Sequence, residues 1–312
     1  MAEIIVNERM KKAHLDYWKK KICPILEENI ISEDINRQYK EILSYLLENW
    51  DKIAIGDVGV LRDIHSDIKL KESDIEEVKK YKEFIISLLG YKTFSKNEYG
   101  KEDKQNYNSG DNIKKWTAYT LIKLSNVRNC PYCNRQYISP IYASKGKMRP
   151  DLDHFLPKSK YPCFSMSLYN LVPVCKNCNS SLKGNHDFGF TSANPFVESF
   201  DELFSFDLDI TSKLSAPKID LTDIKENAKS FVDKMQIYEQ YKIHLDVADE
   251  LVRKSQMYPL ELLEKLSENE KLVKDKELFK EDLFGYINDE VKRKNTPLGK
   301  FKTDLARSLV FF

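Results

Sequence analysis

Asp151-Leu152-Asp153-His154-Phe155-Leu156-Pro157-Lys158-Ser159-Lys160 is the stretch on which the reading of the chain turns. It lies between two Cys-x-x-Cys pairs, Cys130/Cys133 and Cys175/Cys178, with 41 residues separating Cys133 from Cys175. Each pair has the spacing that lets two thiolates from one tight turn reach a single tetrahedral Zn²⁺, and four thiolates close its coordination shell. A zinc so enclosed has no open position for a substrate. It is structural, and it contributes folding energy by tying together turns that lie far apart in sequence. Cys23 and Cys163 lack paired spacing and read as isolated, buried or incidental thiols.

The residues between and beyond the pairs decide the chemistry. The quoted stretch is followed by Tyr169-Asn170-Leu171-Val172-Pro173-Val174-Cys175-Lys176-Asn177-Cys178-Asn179 and by Lys183-Gly184-Asn185. On a strand, neighbouring side chains point to opposite faces, so Asp153 and His154 look the same way only where the chain turns, and Pro157 suits a strand end. Phosphodiester hydrolysis needs a base to activate water, a cation to stabilise the phosphorane and the leaving oxygen, and a groove that tolerates a polyanion. His154, the pair Asp153 and Asn179, and the surrounding lysines and arginines are candidates for these roles in turn. Between residues 126 and 187 nine basic residues face three acidic ones, a balance of +6, whereas the rest of the chain carries 41 basic against 46 acidic residues. A basic stretch on an acidic remainder fits a phosphate-binding surface, although such a stretch alone is as readily a solvated lysine-rich face.

The order CxxC, Asp-His, Asn, CxxC-Asn, Lys-Gly over residues 126–187 resembles the HNH endonuclease superfamily with its ββα-metal fold, in the variant braced by two zinc knuckles. The nine-residue step from Asn170 to Asn179 is similar to that in the HNH domain of the RNA-guided CRISPR nuclease. The phrases His154-Phe155-Leu156-Pro157-Lys158-Ser159-Lys160-Tyr161-Pro162 and Asn194-Pro195-Phe196 are also similar to bacterial HNH proteins of anti-phage systems. Those proteins are often encoded beside an ABC-type or SMC-like ATPase, as in the Septu system. The resemblance implies that His154 is the general base, that Asp153 and Asn179 hold one catalytic Mg²⁺ or Mn²⁺, and that Asn170 orients the hairpin and the His154 ring. Carboxylate and amide oxygens suit such hard ions. Lys158 and Lys183 are expected phosphate contacts, with Arg135 and Arg149 lining the groove. Asn179 stands where many HNH sites end in His, which weakens the expectation of a tightly held transition metal.

Outward from this module the chain reads as helix. Residues 8–26 and 33–50 show helical periodicity, with Pro24 expected to break the first near its end. Ser73 and Glu76 form a capping-box signature ahead of a helix whose Val78, Tyr81, Ile85, Leu88 and Leu89 share a face until Gly90. Residues 92–112 are polar and read as an exposed connection, and 112–124 as a further helix. A strand is expected where Phe204, Phe206 and Leu208 alternate. Beyond it a helical face runs through Phe231, Met235, Tyr238, Tyr241, His244, Val247 and Leu251, with more helices at 260–266 and 272–292. His14 and His65 read as surface or boundary residues, His244 as a satisfied core histidine and His186 as a solvated or hydrogen-bonded group.

The expected architecture is therefore mainly α: helical region 1–111, HNH module 112–200, and helical region 201–312. The chain has 312 residues and is 41% hydrophobic, enough for a sizeable core. No apolar run approaches the ~20 residues that span a bilayer, and the first residues carry no signal-peptide pattern, so a cytoplasmic protein is expected. DNA is the expected substrate and an ATPase subunit an expected partner. The alternative is a zinc-stapled module that binds nucleic acid or protein without cutting.

Overall fold

The computed structural model describes residues 4–73, 75–96, 115–143, 146–209, 218–268 and 273–310. Helix dominates, and the described strands pair in antiparallel twos: β1 (Ile141–Ala143) with β2 (Gly146–Met148), β3 (Asp151–His154) with β4 (Leu171–Val174), and β5 (Ser205–Asp209) with β6 (Lys218–Thr222). This is the mainly α architecture with a small central hairpin that the sequence predicts. The β1–β2 hairpin and β6 are not among the expected strands; a three-residue strand holds too few alternations to stand out, and β6 has Ile219 as its one buried residue.

Two compact units make up the chain: Ile4–Asn126 with Ser139–Ser192, and Val127–Ile138 with Ala193–Phe312. The first begins with α1 (Glu8–Tyr17), whose N-cap Asn7 accepts the Met10 amide through its side chain. Pro24 does not break the helical run. A π turn, Trp18–Ile22, carries the chain into α2 (Cys23–Ile31), with the Cys23 amide reaching back five residues to the Trp18 carbonyl. That wider turn places Pro24 in the first turn of α2, where a missing N–H and a φ fixed near −65° suit a helix start.

The unit continues through α3 (Arg37–Glu48), α4 (Trp50–Ile55), α5 (Val58–Lys71), α6 (Val78–Leu88), α7 (Tyr91–Lys96) and α8 (Ala118–Leu124). Trp18, Leu26, Ile42, Leu46, Ile53, Leu61 and Ile85 are wholly buried, each helix contributing one apolar stripe. Three local expectations change. The Ser73 hydroxyl bonds back to the Leu70 carbonyl, and α6 starts only after Glu77, which makes no side-chain cap. Residues 92–96 are the body of α7, with Phe94 buried in the core and Lys92, Thr93 and Lys96 exposed; the expected connection from 97 to 112 lies outside the described residues. The helix expected over 112–124 begins at Ala118, where the Thr120 hydroxyl accepts the Thr117 amide at 2.7 Å; residues 112–114 are outside the described set.

In the second unit Phe204, Phe206 and Leu208 are buried as their alternation predicts, and β5 pairs with β6 from Ser205↔Thr222 to Asp209↔Lys218. The helical face expected over residues 221–251 is divided among α9 (Lys229–Lys234), α10 (Ile237–Lys242) and α11 (Leu245–Met257). Gln236 breaks the first junction in a left-handed conformation, φ 49°. Phe231, Met235, Tyr241 and Leu251 still reach the core, but Tyr238 falls on the exposed side of the re-aimed α10. Next come α12 (Leu260–Glu268), α13 (Lys276–Phe284), α14 (Glu290–Lys294) and α15 (Gly299–Val310). The single helix expected at 272–292 ends instead at Gly285, φ 67°, a conformation only glycine adopts without strain. The centre of this unit is an aromatic cluster, with Phe206 4.3 Å from the Tyr241 ring and 5.0 Å from that of Phe301.

Candidate functional site

The Sγ atoms of Cys130, Cys133, Cys175 and Cys178 all lie within 4.8 Å of one another, and all four residues are buried, unoxidised cysteines. Tetrahedral zinc with Zn–S bonds of about 2.3 Å sets sulfurs about 3.8 Å apart, so the group fits that ion. The turn bearing Cys130 and Cys133 is shaped by its own backbone. The Cys130 amide donates to the Gln136 carbonyl, Ile138 to Arg128, and Asn134 to Cys130, with Asn134 in the left-handed region at φ 48°. The helices of the same unit hold it from outside: Tyr241 Oη donates to the Cys133 carbonyl, Asn134 Nδ2 to the Lys294 carbonyl, and the Leu298 amide to the Asn134 carbonyl. Cys163 stands apart beside Tyr81 Oη, its thiol pushed up to about 12 by burial and so protonated.

Strand period sets one face of the hairpin. Asp151 and Asp153 are two residues apart on β3 and share a face, opposite Val174 and Val172. After β4 the chain enters a seven-residue π-type helix, Asn177–Lys183, which directs two side chains at those carboxylates. Asn179 Nδ2 donates to Asp151 Oδ2 at 3.0 Å. Lys183 Nζ donates to Asp153 Oδ1 at 3.0 Å and to the His154 carbonyl at 2.8 Å. Lys183 is only 1% exposed, so its ammonium serves Asp153 and does not face solvent as a phosphate contact. The amide bond to Asp151 commits the nitrogen end of Asn179, which turns its oxygen the other way. Carboxylate and amide oxygens are the donor set a hard divalent ion takes; Asp153 Oδ1 is here bonded to the Lys183 ammonium.

His154 ends β3 and looks elsewhere. Its Nε2 lies 2.9 Å from the Ser165 carbonyl, and its ring meets the edge of Tyr91 at 4.3 Å between centroids. A carbonyl only accepts, so Nε2 carries the proton and Nδ1 keeps the lone pair. Burial drives the imidazole pKa down to about 3, against the Ser165 bond that raises it, with Lys158 and Lys183 lowering it further. The ring is therefore neutral at neutral pH. Asn170 does not touch this ring; it holds the loop that supplies the carbonyl. Its Oδ1 accepts the Leu156 amide at 2.7 Å, while Nδ2 donates to the carbonyls of Leu156 and Phe164. Tyr91, whose hydroxyl burial pushes up to about 12, donates to the Leu152 carbonyl on β3.

The other expected cations are partly committed. Arg135 donates to His244 Nε2 and Gln240 Oε1, both at 2.9 Å, so His244 is satisfied by an arginine and is half-buried at the start of α11. Arg149 donates to the Ser95 and Pro150 carbonyls and lies over the Tyr119 ring. Lys158 is half-buried with its ammonium 4.8 Å from the centre of the Tyr91 ring, beside His154. His65 lies at the boundary, against Tyr161 and Phe190, and His186 packs against Phe188. His14 overturns its expectation: it is fully buried, because both ring nitrogens have partners inside the core. Sequence reasoning passed over Asp151, although its two-residue step from Asp153 was a usable signal. It also passed over Ser165, whose role is played by a backbone atom that no side-chain pattern announces.

No family model matches the chain, and no solved structure matches it. Among curated proteins it is similar to "Septu protein PtuB" of Bacillus thuringiensis, 31% identical over 93 residues, which are 29% of this chain and 33% of that protein. It is also similar to "Protein ea31" of Escherichia phage lambda, 37% identical over 68 residues, 22% of this chain and 20% of the phage protein. The matches thus span about a third and a fifth of the relatives' lengths. Among the described residues no helix is long and apolar enough to cross a membrane.

Proposed function

We propose that the chain is a metal-dependent HNH-type endonuclease that hydrolyses phosphodiester bonds in DNA. The observation that carries this reading is the His154 tautomer. An imidazole held by its Nε2–H keeps its lone pair on Nδ1, at the end of the strand that also bears Asp151 and Asp153. His154 takes the proton of the attacking water at Nδ1, which makes the oxygen nucleophilic toward phosphorus. Asp153 and Asn179 would hold Mg²⁺ or Mn²⁺ in exchange for the Lys183 contact, and the ion would supply stabilisation of charge on the phosphoryl and departing oxygens. Lys158, beside His154, contacts a flanking phosphate. Zn²⁺ on the four cysteines would hold the fold of the module.

The similarity to the Septu protein supports a role in anti-phage defence with an ATPase subunit as partner, and a cytoplasmic location belongs to the same proposal. One observation favours the alternative of a non-cutting, zinc-stapled binding module: Lys183 already neutralises Asp153. Plasmid nicking with Mg²⁺ or Mn²⁺ decides between the two. Wild type is expected to cut and His154→Ala to lose about 100-fold or more of the rate while staying folded; equal cutting by both proteins would remove the nuclease assignment.

A further inference from the structure

We infer that His14 and Trp18, from the N-terminal helical segment, are positioning residues for the His154 base; the inference rests on the nuclease reading above. The carbonyl that orients His154 belongs to Ser165, and the next carbonyl along the chain, that of Met166, is gripped twice. His14 Nε2 lies 2.7 Å from it and Trp18 Nε1 donates to it at 3.0 Å. The His14 proton is located by its other nitrogen: Trp116 Nε1 donates to His14 Nδ1 at 2.9 Å, so Nδ1 is the acceptor and Nε2 the donor. A carbonyl oxygen has two lone pairs, and Met166 gives one to each ring.

The pieces fit by local geometry. His14 and Trp18 are four residues apart across the end of α1, on one buried face. Successive carbonyls of one loop are thus fixed by three ring N–H groups: His154 on Ser165, and His14 with Trp18 on Met166. Asn170 fixes the same loop at Leu156 and Phe164. The two buried rings anchor the Met166 carbonyl, and with it the peptide next to the one that bears the Ser165 carbonyl, which limits how far that carbonyl can move from His154. All these residues lie in one compact unit. The N-terminal helices are thereby part of the machinery that aims the base.

The test uses the full chain with His14→Ala, His14→Gln and Trp18→Phe. Glutamine can accept from Trp116 and donate to Met166, so it is the conservative rescue. Two readouts are taken on folded protein at fixed neutral pH: the ¹⁵N long-range spectrum of the His154 ring, which reports its tautomer, and kcat and KM for nicking plasmid DNA with Mn²⁺. His14→Ala and Trp18→Phe are expected to mix the His154 tautomers and lower kcat roughly tenfold and threefold with KM unchanged, and His14→Gln to restore both. A folded His14→Ala or Trp18→Phe protein whose His154 spectrum matches wild type overturns the inference. If His14→Ala does not fold, Trp18→Phe decides alone. If wild type cuts nothing while the His154 ring still responds, the positioning stands and the nuclease reading falls.

Discussion

At the scale of single residues, Lys183 is the side chain whose surroundings say most. A primary ammonium 1% exposed, bonded to Asp153 and to the His154 carbonyl, is sustained by those partners. Removing one member of such a pair strands the other charge in the core. Lys183→Met is therefore expected to lower the stability of the metal-free protein by about 3–5 kcal/mol, and Asp153→Asn added to it should recover much of the loss. Urea unfolding of the single and double variants measures this; a change below about 0.5 kcal/mol for Lys183→Met would mean that the ammonium is solvated. Lysine at this position reads from sequence as a phosphate contact, a reasonable prior for a basic residue in a basic stretch. Its burial is a consequence of the helix turning it toward β3, which composition does not encode.

At the scale of elements, the Cys-x-x-Cys turns and the β3–β4 hairpin were legible in the sequence because their chemistry is local: ligand spacing, a two-residue period and a proline at a strand end. Less local features were not. His14 is bonded to residues 102 and 152 positions away, and Arg135 to residues beyond position 239, so nothing in their immediate sequence separates them from surface residues. Pro24 misled for a related reason, since the π turn that accommodates it has no strong sequence mark. The four-thiol group carries a prediction of its own. One zinc per chain is expected by elemental analysis, and Cys130→Ser or strong chelation should lower Tm by about 10 °C or more. His154→Ala should keep the zinc. Protein free of zinc, or a Tm indifferent to chelation, would rule out a structural metal.

At the scale of the whole molecule, the two buried histidines tie stability to acidity. His14 is fully buried and burial lowers its pKa to about 4, from about 6.5 in an unfolded chain. The unfolded state then takes up the proton first. Stability is complete above pH 6.5, falls as pH drops toward 4, and levels below it, by roughly 3 kcal/mol for His14 alone. His154 adds a loss of the same sign. Comparing the pH dependence of urea unfolding for wild type and His14→Gln isolates the His14 share; parallel curves would show that the ring does not stay neutral in the folded protein. The turn of Cys130 and Cys133 has a different kind of consequence, one of timing. Asn134 receives its outer backbone partners from Lys294 and Leu298, some 160 residues later. During synthesis those partners leave the ribosome some 160 residues after the turn itself, so the turn waits that long before it is fully framed, and a chain stalled before residue 294 carries thiols with an unfinished support.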